Sequence, residues 1–433
     1  MTAYELKKNM APANGWMPWW YRPSLMLVGV SLPTLLILSF SDPTLTLSEA
    51  QLIYSTPGLI VGIVGILLLA LGAAFGESRL FSSLIFPECN PSLQNRGTPR
   101  IAEAFLSERT DWILMAVFVV AHLLFFRGFF INPGLAMAVL GGNVELKHSF
   151  KTIPGVTTWT QVSLVLGALR GLRWAGVLPG RIKLISTFHL VFFGTLFIRA
   201  ILWSERLALV EGAVPFIICA MPRITRTAGP QLKMLFRFLP LIVPVLLLIV
   251  FTAFESLRSW QYYSGHHANI LQFGWQRLFT YYFEAMNTGA ATLNVSGFYE
   301  TTTMPITKGA YEMIYDGLYQ GTLDPEYNNT SGIWYVGTKV GNLLFAPFMI
   351  LLGIFFGTTW RAFVLGRVWC LFFPIVFLSL MEIIRIPYWI GSNRVLPATV
   401  VIIAILAWAA TVPFRLKRRH IPFSANTNTA TAS

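Results

Sequence analysis

The chain has 433 residues, of which 55% are hydrophobic and only 12% charged, with a mean hydropathy of +0.61. A soluble domain carries about a quarter charged residues, so this composition excludes a soluble globular protein, and with it disorder, collagen, coiled coil and a secreted disulfide scaffold. The net charge of +13 would suggest nucleic acid in a soluble chain. In a membrane protein excess Lys and Arg first marks cytoplasmic loops, and no nucleic-acid partner is expected.

From the N-terminus, residues 1–21 are polar and aromatic, with no cleavable signal pattern. Apolar runs then predict about ten spans, over 24–40, 57–75, 112–131, 154–169, 184–202, 207–221, 238–255, 341–359, 368–386 and 395–413. The expected fold class is therefore all-α, a polytopic transmembrane helical protein forming a single integral membrane domain over 1–433. Pro33, Pro215, Pro244, Pro347 and Pro374 fall inside spans, where neighbouring helices can satisfy the freed carbonyls. Cys89, Cys219 and Cys370 are too few and too scattered for a disulfide or zinc framework.

The basic residues orient the chain. With the N-terminus inside, the inner segments hold Lys7, Lys8, Arg22, Arg79, Arg96, Arg100, Arg109, Arg170, Arg173, Arg181 and Lys183. They also hold Arg223, Arg226, Lys233, Arg237, Arg361, Arg367, Arg415, Lys417, Arg418 and Arg419, most of the 32 basic residues in total. The first outer loop has none, so both termini are expected on the cytoplasmic side. The remaining lysines, Lys147, Lys151, Lys308 and Lys339, fall in outer loops. Arg127, Arg199, Arg206, Arg258, Arg385 and Arg394 sit within or beside the outer ends of spans, and Arg277 lies in the large outer loop. An arginine at membrane depth costs several kcal/mol unless paired or hydrated, and its fork suits bidentate phosphate contacts. These outer-end arginines form a candidate anion site, to be weighed against snorkelling and pairing with Glu205, Glu255 or Glu382.

One loop stands out. Residues 256–340 form a large extracytoplasmic loop between spans seven and eight, too long for a connector. Its aromatics, among them Trp260, Tyr262, Tyr263, Trp275, Tyr281 and Tyr282, demand burial. Residues 270–286 read as an interfacial helix with Ile270, Phe273, Arg277 and Tyr281 near one stripe. Turn-rich clusters follow at Asn287-Thr-Gly289, over 294–297 and over 324–332. Their amides and carboxylates, with flat aromatic rings, suit carbohydrate, although a lone Asn in a loop more often just closes a turn. There is no Gly-rich phosphate loop, HExxH or GxSxG. His266 and His267 are vicinal and would point apart on a helix, so no metal is expected there.

In chain order, a set of motifs resembles one family: Trp203-Ser-Glu-Arg-Leu-Ala-Leu-Val-Glu211 with Val214-Pro215; Phe254-Glu-Ser-Leu-Arg-Ser-Trp260; the stretch from Gln276 to Ala290; Pro325-Glu-Tyr-Asn-Asn-Thr-Ser-Gly332; and Glu382-Ile-Ile-Arg385 with Arg394 and Pro397. Over roughly 110–400 the chain resembles the Wzy-type oligosaccharide repeat-unit polymerases of bacterial O-antigen and capsule assembly. It departs from their pattern at Thr288, where the family carries a second Asn, and at Thr338-Lys339, where it carries an acid.

The resemblance implies a GT-C-like, metal-independent glycosyltransferase of the bacterial cytoplasmic membrane, without a cofactor. Such enzymes polymerise undecaprenyl-diphosphate-linked oligosaccharides at the outer face, and a chain-length regulator protein is a further expected partner. A diphosphate leaving group needs its developing charge stabilised, and the attacking sugar hydroxyl needs a general base. The expected diphosphate-binding residues are Arg206, Arg258, Arg277, Arg385 and Arg394, with Arg127 and Arg199 as second choices or structural residues. Glu326 or Glu382 is the expected base. Trp260, Tyr281, Tyr282, Asn287, Asn328 and Asn329 are expected to line the sugar path. An O-antigen ligase and a transporter or flippase are the rival readings. The latter lacks the inverted repeat common in transporters, and Glu211 is its clearest midspan acid.

Overall fold

The computed structural model describes residues 17–41, 56–86, 108–140, 146, 153–178, 182–202, 206–258, 260, 264–265, 269–300, 332–389 and 393–411. Among them there is no strand. The helices are α1 (Pro23–Ser39), α2 (Thr56–Glu77), α3 (Arg79–Ile85), α4 (Arg109–Phe125), α5 (Arg127–Ile131), α6 (Pro133–Leu140) and α7 (Ser163–Trp174). They continue with α8 (Thr187–Leu202), α9 (Arg206–Thr227), α10 (Pro230–Arg237), α11 (Leu239–Arg258), α12 (Ile270–Val295), α13 (Trp334–Val364), α14 (Phe373–Met381) and α15 (Leu396–Thr411).

Three of these are long and apolar enough to cross a bilayer: α2, α9 from Leu207, and α13. α10 and α11 reach that length and hydropathy only together, and they are bent by 75° at Phe238. The other expected spans are shorter or divided as helices. The one over 154–169 splits into a 3-10 turn at Thr157–Val162 and α7, and the one over 368–386 into a turn at Val368–Phe372 and α14. The one over 112–131 breaks at Phe126, between α4 and α5. Apolar windows register total hydrophobicity, and a buried turn scores as well as a helix.

Close backbone approach builds the centre. α2 carries Gly72 and Gly76 one turn apart, and α13 carries Gly353 and Gly357 at the same spacing. A Cβ on any of them would run into the opposing backbone: at Ile350, Ile354, Leu69 and Ala73 respectively. Small residues four apart let membrane helices approach without side chains between them. α7 uses the same device against α9, with Gly167 against the Gly212 carbonyl and Gly171 against that of Phe216. Nearly every residue of α7, and Phe373–Leu380 of α14, is buried, as expected of short helices apolar on most faces. Trp334, at the start of α13, is fully buried against Gly289 of α12 and donates its indole N–H to the Gly58 carbonyl at 2.7 Å.

Several charged residues inside this core are paired. Arg173 donates two hydrogen bonds to Asp111, at 2.7 and 3.0 Å, and Arg170 a third at 3.2 Å; the Arg170 guanidinium also covers the Phe188 ring at 4.0 Å. Arg170 and Arg173, read from the sequence as loop charges that only set topology, are buried here. Glu77, buried at the end of α2, takes hydrogen bonds from Arg22 and from the Ser24 amide and hydroxyl. Elsewhere the surface is strongly apolar, with Ile37, Leu71, Leu190, Leu241, Leu343 and Leu351 all well exposed. So wide an apolar surface marks a membrane-facing molecule.

Candidate functional site

α12 is the helix read from the sequence at 270–286. It starts where the Asn269 side chain accepts from the Gln272 amide at 2.8 Å, and it runs on to Val295. Leu271 and Gln272 in its first turn are exposed, but from Phe279 onward it is largely buried, including Glu284, Asn287, Thr288 and Thr292. Helical spacing places Arg277, Tyr281, Glu284 and Thr288 along one face.

Against that face lies the non-helical segment that follows α14. Glu382 and Arg385 sit one turn apart there, and Arg385 Nη1 donates to Glu382 Oε2 at 3.3 Å. The Arg385 guanidinium covers the Tyr281 ring at 4.7 Å, and Tyr281 in turn packs edge-on to Phe251 of α11. The end of the large loop is stitched to the same segment: the Gly332 amide donates to the Arg385 carbonyl at 3.2 Å. Gly332 has φ +47°, and a Cβ there would strike the Ile384 carbonyl, so glycine is required on both counts.

A second ion pair adjoins the first. Glu211, buried in the second turn of α9, accepts from the Tyr388 hydroxyl at 3.2 Å and from Arg394 Nη1 at 3.3 Å. Burial and the Glu211 carboxylate hold the Tyr388 phenol well above its usual range, and the field of Glu382 and Arg385 also reaches it. Tyr388 is therefore bonded to the second pair and lies within the field of the first. Glu382, and then burial, push the Tyr282 phenol upward as well. At Arg385 burial works against the charge, but Glu382 with Tyr281, Tyr282 and Tyr388 outweighs it and the pKa rises. Arg385 therefore stays cationic, and the Tyr282 and Tyr388 phenols stay protonated, at neutral pH.

The second pair is layered and the first is evenly recessed. Side-chain exposure is 18% for Arg385 against 12% for Glu382, and 35% for Arg394 against 1% for Glu211. At the second pair an approaching anion meets Arg394 first, with Glu211 behind it. Arg385 spends one N–H of its fork on Glu382, which leaves further donors for an oxyanion.

Of the residues expected from the sequence, Glu382, Arg385, Arg394, Tyr281 and Tyr282 come together. Arg277 stands one turn before Tyr281 on the same face of α12, half-buried. Trp260 packs on Phe273 at the start of α12, with ring centroids 5.8 Å apart. Asn287 lies about 120° around the helix from Tyr281, buried, its amide oxygen without a hydrogen-bond partner. Arg206 opens α9 and Arg258 closes α11, but their side chains lie outside the described residues, as do Glu326, Asn328 and Asn329. Arg199 is buried over the Phe125 ring at 4.6 Å.

Tyr388 is the residue sequence reasoning missed. A tyrosine beside a membrane interface is common, and its partner Glu211 is remote in the chain. Glu211 itself carried a signal, since an acid in an apolar run is costly unless paired. Comparison with protein-family models, with curated proteins and with solved structures finds no match to this chain.

Proposed function

We propose that the chain is a membrane-embedded glycosyltransferase that polymerises undecaprenyl-diphosphate-linked oligosaccharide repeat units at the outer face of the bacterial cytoplasmic membrane. The observation that carries this reading is the cluster of Arg385, Arg394, Glu382, Glu211 and the phenols. Two arginines beside two carboxylates suit a reaction that releases a diphosphate and deprotonates a hydroxyl.

In this reading Arg385 and Arg394 hold the diphosphate of the glycan donor. The acceptor sugar hydroxyl attacks the anomeric carbon and the new C–O bond forms. The bond from that carbon to the phosphate oxygen breaks, its electron pair leaving on undecaprenyl diphosphate. Glu382 takes the hydroxyl proton. As the leaving group draws on Arg385, the hold of that guanidinium on Glu382 weakens and the carboxylate becomes a better base. Tyr281 and Tyr282 offer a ring face and a hydroxyl to the sugar.

The test is ladder formation by purified protein on a synthetic undecaprenyl-diphosphate oligosaccharide. Arg385→Lys keeps charge but loses the fork and should slow ladder growth about 10²-fold. A wild-type ladder from an Arg385→Lys plus Arg394→Lys variant would sink the assignment. Surface glycan after deletion of the protein separates the ligase reading: loss of a polymerase leaves single-unit products, loss of a ligase leaves nothing attached.

A further inference from the structure

We infer that α10 lies in the headgroup layer of one leaflet and binds anionic phospholipid through Lys233 and Arg237. The inference is independent of the catalytic reading and rests on the end of the molecule remote from Glu211. Gly229 precedes α10 with extended backbone and Pro230 opens it; no residue of the helix is buried. Helical spacing puts Lys233 and Arg237 on one stripe, four residues apart, and the exposed Leu232 and Leu235 on the opposite side. Among the described residues neither cation has an acidic partner. Glu77, the carboxylate buried at this end, is already taken by Arg22 and Ser24.

Two further features say what covers the apolar side. The 75° bend at Phe238 turns α10 nearly at right angles to α11. With α11 spanning the bilayer, α10 then runs close to the membrane plane. Its apolar stripe continues into the exposed Leu241, Val245 and Ile249 of α11, so one lipid-facing surface serves both helices. The C-terminal turn is held in place by tryptophans. The Trp20 indole donates to the Phe236 carbonyl at 2.6 Å and the Trp19 indole to that of Arg237 at 2.9 Å. Aromatic anchors at headgroup depth, an apolar side and a two-cation stripe are the parts of an interfacial helix. Arg223 and Arg226, spent on the Trp174 and Ala175 carbonyls, add positive potential nearby. The phosphodiester of an anionic lipid complements that charge; a zwitterionic headgroup, which brings its own cation, does so poorly.

The experiment uses the full chain in detergent, titrated with phosphatidylglycerol or phosphatidylcholine and read by native mass spectrometry. Wild type should bind the first phosphatidylglycerol several-fold more tightly than phosphatidylcholine. Lys233→Gln and Arg237→Gln should each weaken that preference about fivefold, and Lys233→Arg should keep it. Both positions are on the surface, so thermal unfolding should be unchanged. Equal binding of the two lipids by wild type, or an undiminished preference in the double Gln variant, overturns the inference. So does a dimer that the double variant dissociates, since a second copy would then cover α10.

Discussion

Asp111 carries a carboxylate with no exposed surface between two buried guanidiniums, and Arg173 grips it with a fork of two bonds. Asp111→Asn keeps the shape but leaves both cations without their counter-charge. Breaking a buried pair from one side costs about 3–5 kcal/mol, so the variant should unfold several degrees lower in a detergent thermal melt. Replacing Arg170 and Arg173 by Leu in the same chain should recover much of the loss, because removing all the charges leaves none uncompensated. The contrast with Arg385 and Arg394 shows what was readable at this scale. Arginines at outer span ends were visible from the sequence because topology gives them no reason to be there, and two of them meet at the site. Arg170 and Arg173 were hidden for the opposite reason. They stood where loop charges are expected, and only Asp111, far away in the chain, reveals that they are buried.

At the scale of helices, α2 and α13 are held together by backbone contact rather than by interlocking side chains. Gly353→Leu would set a branched side chain against the Leu69 carbonyl and force the pair apart. The variant should lose most of its folded yield on size exclusion. Gly194→Ala in α8 meets nothing within 4 Å and should change stability by no more than about 1 kcal/mol, in the stabilising direction expected for Ala over Gly in a helix. If both behave alike, close approach is not what holds the centre. The identity of the elements as apolar helices was legible, but their lengths were not. The apolar run over 154–169 reads as one span because hydropathy does not distinguish α7 from the turn before it. Likewise the aromatic stripe over 270–286 marked α12 as a helix but not its continuation to Val295. Its polar second half, with Glu284, Asn287, Thr288 and Thr292 buried, gives no hint of burial in the sequence.

For the molecule as a whole, α9 ties two chemically different ends together. Glu211 stands near its start and Arg223 near its finish, about 18 Å apart along the axis. Around the finish gather Arg22, Glu77, Arg361 with Ser82, and the tryptophan-held end of α10. These described inner-segment residues thus share one end, and the candidate site occupies the other. If that end is cytoplasmic, as the positive-inside bias requires, a cysteine at Lys233 and one at the exposed Asn294 must face opposite compartments. Cys219 and Cys370 are buried, so replacing Cys89 by Ser gives a quiet background. In intact spheroplasts a membrane-impermeant maleimide should label Asn294→Cys and spare Lys233→Cys until the membrane is permeabilised. The reverse pattern would put Arg385 and Arg394 on the cytoplasmic side. A polymerase of exported lipid-linked glycans has no substrate there, so this single orientation measurement bears on the proposed function as heavily as the loss of either arginine.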